Sequence, residues 1–363
     1  MALDPVFEPI TRRAPELPAN LTLPHIAPTS DTLLDHAVAL RLTPDGVAEH
    51  ALGRMEALTL QLARIQNSSG TPFDTLYFDA PQLVVFAGDH GIADEGMSDQ
   101  AQSMTSEHVL QLLLGATPVN ALAQMHGFDL TVVDAGVATH IALPDAAHRK
   151  APLLLRKIGY GTRNLMLGPA MSQAQAVSAL HAGMDVVRHL PGNVIALGDV
   201  GVANTVSASM LLSRLCGVPL ADACGRDDFH GVDDALHPKR IEKLSAAASR
   251  HRKALGPVDA LAALGGFEIA MMAGAMLQAA SERRVVLVDG YVASSAALIA
   301  RGLVPSVADY LVFGHRSGDT GHRLMLIHLQ AQPLLDMGMR MGQGTGVMLA
   351  WPLLLAAQKL LEH

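Results

Sequence analysis

Five short apolar runs recur along the chain, and each is closed by glycine with an aspartate or a histidine. Leu83 to Ala87 ends in Gly88-Asp89-His90-Gly91, and Leu130 to Val133 ends in Asp134-Ala135-Gly136. Val194 to Leu197 ends in Gly198-Asp199-Val200-Gly201, Val285 to Val288 in Asp289-Gly290, and Leu311 to Phe313 in Gly314-His315. A run of four or five apolar residues without alternation is the mark of a strand buried on both faces. Between the runs lie helical stretches, such as Ser172 to Leu190, where Ser172 is placed to cap the first turn. One such ending is explained by Asp and Gly as turn formers. Five together are what a parallel α/β sheet requires, with its ligand face at the carboxyl ends of the strands.

Composition agrees. Half of the 363 residues are apolar, 17% are charged and only 4% are aromatic, which favours helices packed on a sheet over an all-β fold. The formal net charge of −8 comes with no basic stripe and argues against nucleic acid as a partner. Residues 1–30 read as an irregular lead-in, with no apolar core of a signal peptide. No uncharged apolar run reaches the ~18 residues that span a bilayer, and Gly344 to Gln358 reads as a buried helix. Cys216 and Cys224 give neither a CxxC spacing nor a disulfide framework, so a reducing cytoplasm is the expected setting. The spacing from Asp31 to Gln66, through Leu52, Met55, Leu58 and Leu62, predicts one long helix.

Several motifs carry possible chemistry. Gly198 to Thr205 places two glycines around Asp199 and then opens a small-residue helix at Asn204, whose free amides suit a phosphate or a carboxylate. It is neither a Walker A loop nor GxGxxG, which leaves a dinucleotide-dependent dehydrogenase supported by fold analogy alone. Cys224-Gly225-Arg226-Asp227-Asp228, ahead of Lys239 and Arg240, is a second anion cradle or a solvated face. Met271, Met272 and Met276 read as core filler. The histidines show no HExxH or comparable spacing, so no metal and no cofactor is expected.

Taken in order, these motifs resemble the nicotinate-nucleotide–dimethylbenzimidazole phosphoribosyltransferase family. The resemblance runs from Leu52-Gly53-Arg54-Met55-Glu56 to the C-terminus. It takes in Gly88-Asp89-His90-Gly91 with Ser98, Val133 to Val137, Gly161-Thr162-Arg163-Asn164 and Gly198 to Thr205. Further on it includes Gly265 to Ala270, Val288-Asp289-Gly290-Tyr291, His315-Arg316-Ser317 with Gly321-His322, and Met339 to Gly346. It implies a Rossmann-like parallel sheet with helices on both faces over residues 76–334. It also implies a small helical domain from 31–75 and 335–363, and a homodimer.

The implied reaction is displacement of nicotinate from C1′ of nicotinate mononucleotide by a benzimidazole nitrogen, with inversion to an α-ribotide, the lower-ligand nucleotide of cobalamin. Gly201, Gly225, Lys239, Gly290 and Ser317 would hold the donor's phosphate and ribose, with Arg240 aligning nearly as well as Lys239. Ser98 would line the pocket of the incoming base. The family's general base is a glutamate in a Gly-Glu-Gly-Thr-Gly turn, and its place is taken here by Gln343, an amide that takes up no proton near neutral pH. Gly-Glu-Met-Gly is likewise Gly198-Asp199-Val200-Gly201, with an acid one bond, about 1.5 Å, shorter. Ser-Ala-Glu-Pro-Gly-His is Ser317 to His322, and Gly-Arg-Gly-Thr-Gly is Gly225 to Phe229. Two expectations follow. One is a transferase in which Asp199 or a water takes the proton, with an altered base preference as a variant. The other is a non-catalytic homologue that binds nucleotide or base, or partners an active paralogue in a heteromer.

Overall fold

The computed structural model describes residues 17–43, 48, 50–67, 75–98, 100–225 and 236–362. In chain order the helices and strands are α1 (Thr32–Leu42), α2 (Arg54–Gln66), β1 (Gln82–Gly88), α3 (Ser103–Leu113), α4 (Pro118–His126), β2 (Asp129–Gly136) and β3 (Leu153–Leu155). The middle of the chain holds α5 (Gln173–Arg188), β4 (Val194–Val200), α6 (Asn204–Cys216), α7 (Leu220–Ala223), α8 (His237–Arg250), α9 (Pro257–Leu264) and α10 (Phe267–Ser281). The last third holds β5 (Val285–Val288), α11 (Tyr291–Leu303), β6 (Leu311–Phe313), β7 (His315–Arg316), α12 (Thr320–Leu329), β8 (Leu335–Asp336) and α13 (Thr345–Glu362).

Six strands form one parallel sheet in the order β3-β2-β1-β4-β5-β6. All five apolar runs are strands of it. Every residue of β1, β4 and β5 is buried, so helices cover both faces. The sixth strand, β3, is an edge of three leucines that are only partly covered, so no continuous buried run announced it. The strand order reverses between β1 and β4, the switch point where such sheets open a crevice.

Helix α10 is buried on every residue from Phe267 to Ala280, the three methionines included, as a helix apolar on all sides must be. It lies on α5 through reciprocal glycines. A Cβ on Gly183 would sit 1.9 Å from the Met271 carbonyl oxygen, and one on Gly274 1.9 Å from that of Leu180. Ser172 caps α5 as expected: its hydroxyl accepts from the Gln175 amide at 3.1 Å and the Gln175 side chain returns the bond at 2.9 Å.

The long helix expected from Asp31 to Gln66 is instead two, α1 and α2. Thr43 has left the helical region at φ −122°, ψ 61°, as the proline that follows it in sequence demands, and α2 starts after Gly53 at φ +54°. Both ends of the chain then meet. Arg64 of α2 grips Asp35 of α1 with two bonds of 2.7 and 2.6 Å, and Arg41 donates to the Leu361 carbonyl at 2.8 Å. Helix α13 fixes this layer to the sheet domain through Trp351, whose ring meets Phe78 and Phe128 edge-on at 5.0 and 4.8 Å. Among the described residues no helix is long and apolar enough to cross a membrane.

Candidate active site

The loops after β4, β5 and β6 converge with the segment after β1 on a cavity of about 220 Å³. Ser98, Asp199, Gly201, Asn204, Gly290, Ser317 and Gln343 all line it. Two expected residues do not. Gly225 packs at the side, where a Cβ would meet the Thr320 hydroxyl at 1.9 Å. Lys239 is exposed on α8, while its neighbour Arg240 is buried and donates to the Gly96 carbonyl at 2.8 Å. Asp227 and Asp228 lie outside the described residues.

Glycine brings the walls together. At Gly201 a Cβ would stand 2.3 Å from the Gly88 carbonyl oxygen, so the turns after β1 and β4 touch backbone to backbone. Gly198 does the same for the turn that carries Gln343, whose carbonyl carbon would lie 2.4 Å from a Cβ there. That turn takes three consecutive residues with positive φ: Gly342 at 63°, Gln343 at 62° and Gly344 at 91°. An L-residue holds such a conformation only when its surroundings impose it. Asp289, wholly buried at the end of β5, supplies the constraint. Its two carboxylate oxygens accept from the amides of Gly344 at 3.0 Å and Val347 at 3.1 Å. They thereby satisfy the start of α13 and aim the Gln343 turn at the cavity.

Asp199 accepts from the Asn204 side-chain amide at 2.8 Å. Burial pushes its carboxyl well above the usual carboxylate range, and the charges of Asp289 and Glu268 push the same way. His315 also lines the cavity, 2% exposed, with neither ring nitrogen hydrogen-bonded. Its Nε2 lies 3.5 Å from the Asp289 carboxylate, an ion-pair separation. Burial alone would lower the imidazole, but the Asp289 carboxylate outweighs it and holds it above the ordinary histidine value.

Ser317 is oriented by His322. The Ser317 amide donates to His322 Nδ1 at 2.9 Å, so that nitrogen carries no proton, and Nε2–H donates to the Ser294 hydroxyl at 2.9 Å. Burial drives the His322 imidazole down to about 3. A further pair lies behind the cavity wall, where His90 Nε2 meets Glu268 Oε1 at 2.5 Å with the Ser207 hydroxyl 2.8 Å from Nδ1. Glycine at 88 and 266 leaves the room that the Glu268 carboxylate occupies. Among the described residues no group of three or more metal-ligating side chains assembles.

Sequence reasoning missed several polar residues of the lining, among them His108, His315, Asp319 and Arg340. His315 stood at the end of an apolar run, a usable signal. His108 sits inside a helix with no motif around it, and only the fold brings it to the cavity.

A parallel sheet that reverses at β1/β4, with a glycine-walled polar cleft on its carboxyl edge, defines an open α/β protein with its ligand crevice at the switch point. The model of a family described as phosphoribosyltransferase matches residues 27–363, and the chain belongs to that family. A relative from Cupriavidus taiwanensis is 44% identical over 350 residues, 94% of this chain and 96% of its own length. One from Variovorax paradoxus is 40% identical over 345 residues, 95% of each chain. Both are named nicotinate-nucleotide–dimethylbenzimidazole phosphoribosyltransferase. The crystal structure of the protein of that name from Thermus thermophilus matches with a TM-score of 0.81 at 33% identity, over 92% of this chain and 96% of that one.

Proposed function

We propose that this protein transfers the phosphoribosyl group of nicotinate mononucleotide to a benzimidazole-type base, releasing nicotinate and forming an α-ribotide, the lower-ligand nucleotide of cobalamin. The observation that carries the reading is the convergence of Gly201, Gly290 and Ser317 with Asp199 and the Gln343 turn on one cavity, in a chain whose relatives carry the name of this reaction.

The acceptor nitrogen attacks C1′ from the face opposite nicotinate, and the C1′–N bond breaks with its electron pair going to the pyridine ring. That ring is cationic in the substrate and leaves neutral, so no acid is needed to expel it. The demand on the protein is positioning of two rings and handling of positive charge. Backbone amides at Gly201, Asn204 and Gly290, at the starts of α6 and α11, suit the donor's phosphate, with Ser317 beside them. Asp199, when ionised, lies where it offsets charge developing on the ribose. Gln343 orients the acceptor by hydrogen bonding. Ser98 lines the same cavity and would meet the incoming base. Gly225 and Lys239 do not line this cavity. The protein is expected to act as a homodimer in the cytoplasm, a setting that two cysteines outside any disulfide fit.

The test is nicotinate release by the purified protein from nicotinate mononucleotide with a panel of benzimidazoles, purines and phenols. Release that depends on one added base supports the transferase and names its acceptor. Gln343, an amide in a turn that asks for a carboxylate, favours a second reading, a homologue that binds without turnover. Nucleotide binding without release for any base would put that reading first.

A further inference from the structure

The need for a general base rests on the proposed transfer, which leaves one proton to be removed. When one nitrogen of the acceptor bonds to C1′, the ring becomes a benzimidazolium, and the N–H on its other nitrogen must be lost to give a neutral base in the ribotide. Gln343 cannot take that proton.

Besides Asp319, which opens α12 two residues after Ser317 on the donor side, three other side chains on the cavity wall have the chemistry. Asp199 stands at the end of β4 beside Gly201 and Asn204, on the donor side, with Oδ1 engaged by the Asn204 amide. His315 lies below Gly290, 3.4 Å from where a Cβ would be, and close to Ser317. The Asp289 carboxylate beside it favours the imidazolium, which has no lone pair to accept with. His108 differs from both. It is half-buried on α3, has no hydrogen bond or ion pair among the described residues, and lines the same cavity as Ser98.

Its placement is not loose. Thr105, one turn earlier on the same helix face, is fully buried. The Thr105 hydroxyl donates to Asp89 Oδ1 at 2.5 Å and accepts from the Val202 amide at 3.1 Å. Asp89 is itself held by the Ala138 amide at 2.7 Å. Val202 belongs to the cavity lining, so this chain of bonds locks the 105/108 face of α3 over the turn after β4.

We propose that His108 is the general base of the transfer, taking the N–H proton of the acceptor in place of the carboxylate that Gln343 lacks. A lone pair of the neutral imidazole receives the proton, the N–H electron pair returns to the benzimidazole ring, and the partly exposed imidazolium passes the proton to water.

The experiment measures nicotinate release by the full-length enzyme with two acceptors. One is 5,6-dimethylbenzimidazole and the other is 1-methylbenzimidazole, which has no N–H to lose. His108→Ala and His108→Gln should each lower kcat with the first acceptor by about a hundredfold, the low end of general-base contributions. With the second acceptor the change should stay under about threefold. Adding Gln343→Glu to His108→Ala should restore most of the lost rate, because it returns a proton acceptor to the same cavity. An equal fall with both acceptors, a rise in KM with kcat unchanged, or no rescue by Gln343→Glu would overturn the assignment. Wild-type protein that releases no nicotinate with any base would overturn the transferase reading instead, a separate outcome.

Discussion

At the scale of single residues, buried groups with displaced proton affinities set how this protein answers pH. His322 has an ordinary value of 6.5 and is driven to about 3 in the fold. Between those values the unfolded chain binds a proton that the folded chain refuses. Its contribution is therefore whole above about pH 6.5 and is lost by about 1.4 kcal/mol per unit as pH falls toward 3. Urea midpoints at pH 7.5 and pH 5 should show a steeper loss for the wild type than for His322→Gln, which keeps an acceptor for the Ser317 amide. Parallel losses would reject this account. Asp199 works in the other direction, since its raised value means that it ionises late. The acid limb of kcat should then lie above the range of an ordinary carboxylic acid, and Asp199→Asn should remove that limb along with most of the rate. The Cys216 thiol is pushed up to about 11 by burial, so a disulfide reagent at pH 8 should label it only as the protein unfolds.

At the scale of elements, the α5–α10 pair shows how closely this chain is fitted. Gly183 and Gly274 each accept a helix backbone where no Cβ fits. Gly274→Ala should destabilise by roughly 1–3 kcal/mol or more, because two backbones must part rather than one side chain turn. The change belongs in the unfolding free energy and not in KM for either substrate. Asp289 does a comparable task for α13. Asp289→Ala would strip two buried amides of their acceptor, at about 1–3 kcal/mol each, and would free the Gln343 turn. Here kcat should fall together with stability. Loss of one without the other would show that the turn is held by its glycines alone.

Across the whole molecule, helices from both chain ends close on each other and on the sheet. The chain has one tryptophan, Trp351, and it lies between Phe78 and Phe128 where α13 meets the sheet domain. We propose that α1, α2 and α13 form a helical layer that does not fold apart from the sheet. Thermal unfolding followed by Trp351 emission and by far-ultraviolet circular dichroism should give coincident transitions. A tryptophan change that precedes the loss of helix would show an independent unit. Light scattering should give about twice the 38.2 kDa chain mass if the homodimer expected for the family forms.

Much of this could be read before any coordinates, for a local reason. A strand buried on both faces must be apolar without interruption, so β1, β2, β4, β5 and β6 were visible, and so were the glycine turns that end them. Ser172 and its helix were visible in the same way, because a cap acts on the amides next to it. Gln343 was visible because the turn around it is a contiguous motif. The partly exposed β3 and the break between α1 and α2 carried weaker local marks. What only the tertiary structure decided lies between residues far apart in sequence. It brought Ser98, Asp199, Gly290, Ser317 and Gln343 to one cavity, left Lys239 outside it, and set the burial and the neighbouring charges that raise Asp199. It also turned His108 into that cavity through Thr105, Asp89 and Val202. Periodicity records which face of an element is buried, but it holds no record of which other element covers that face.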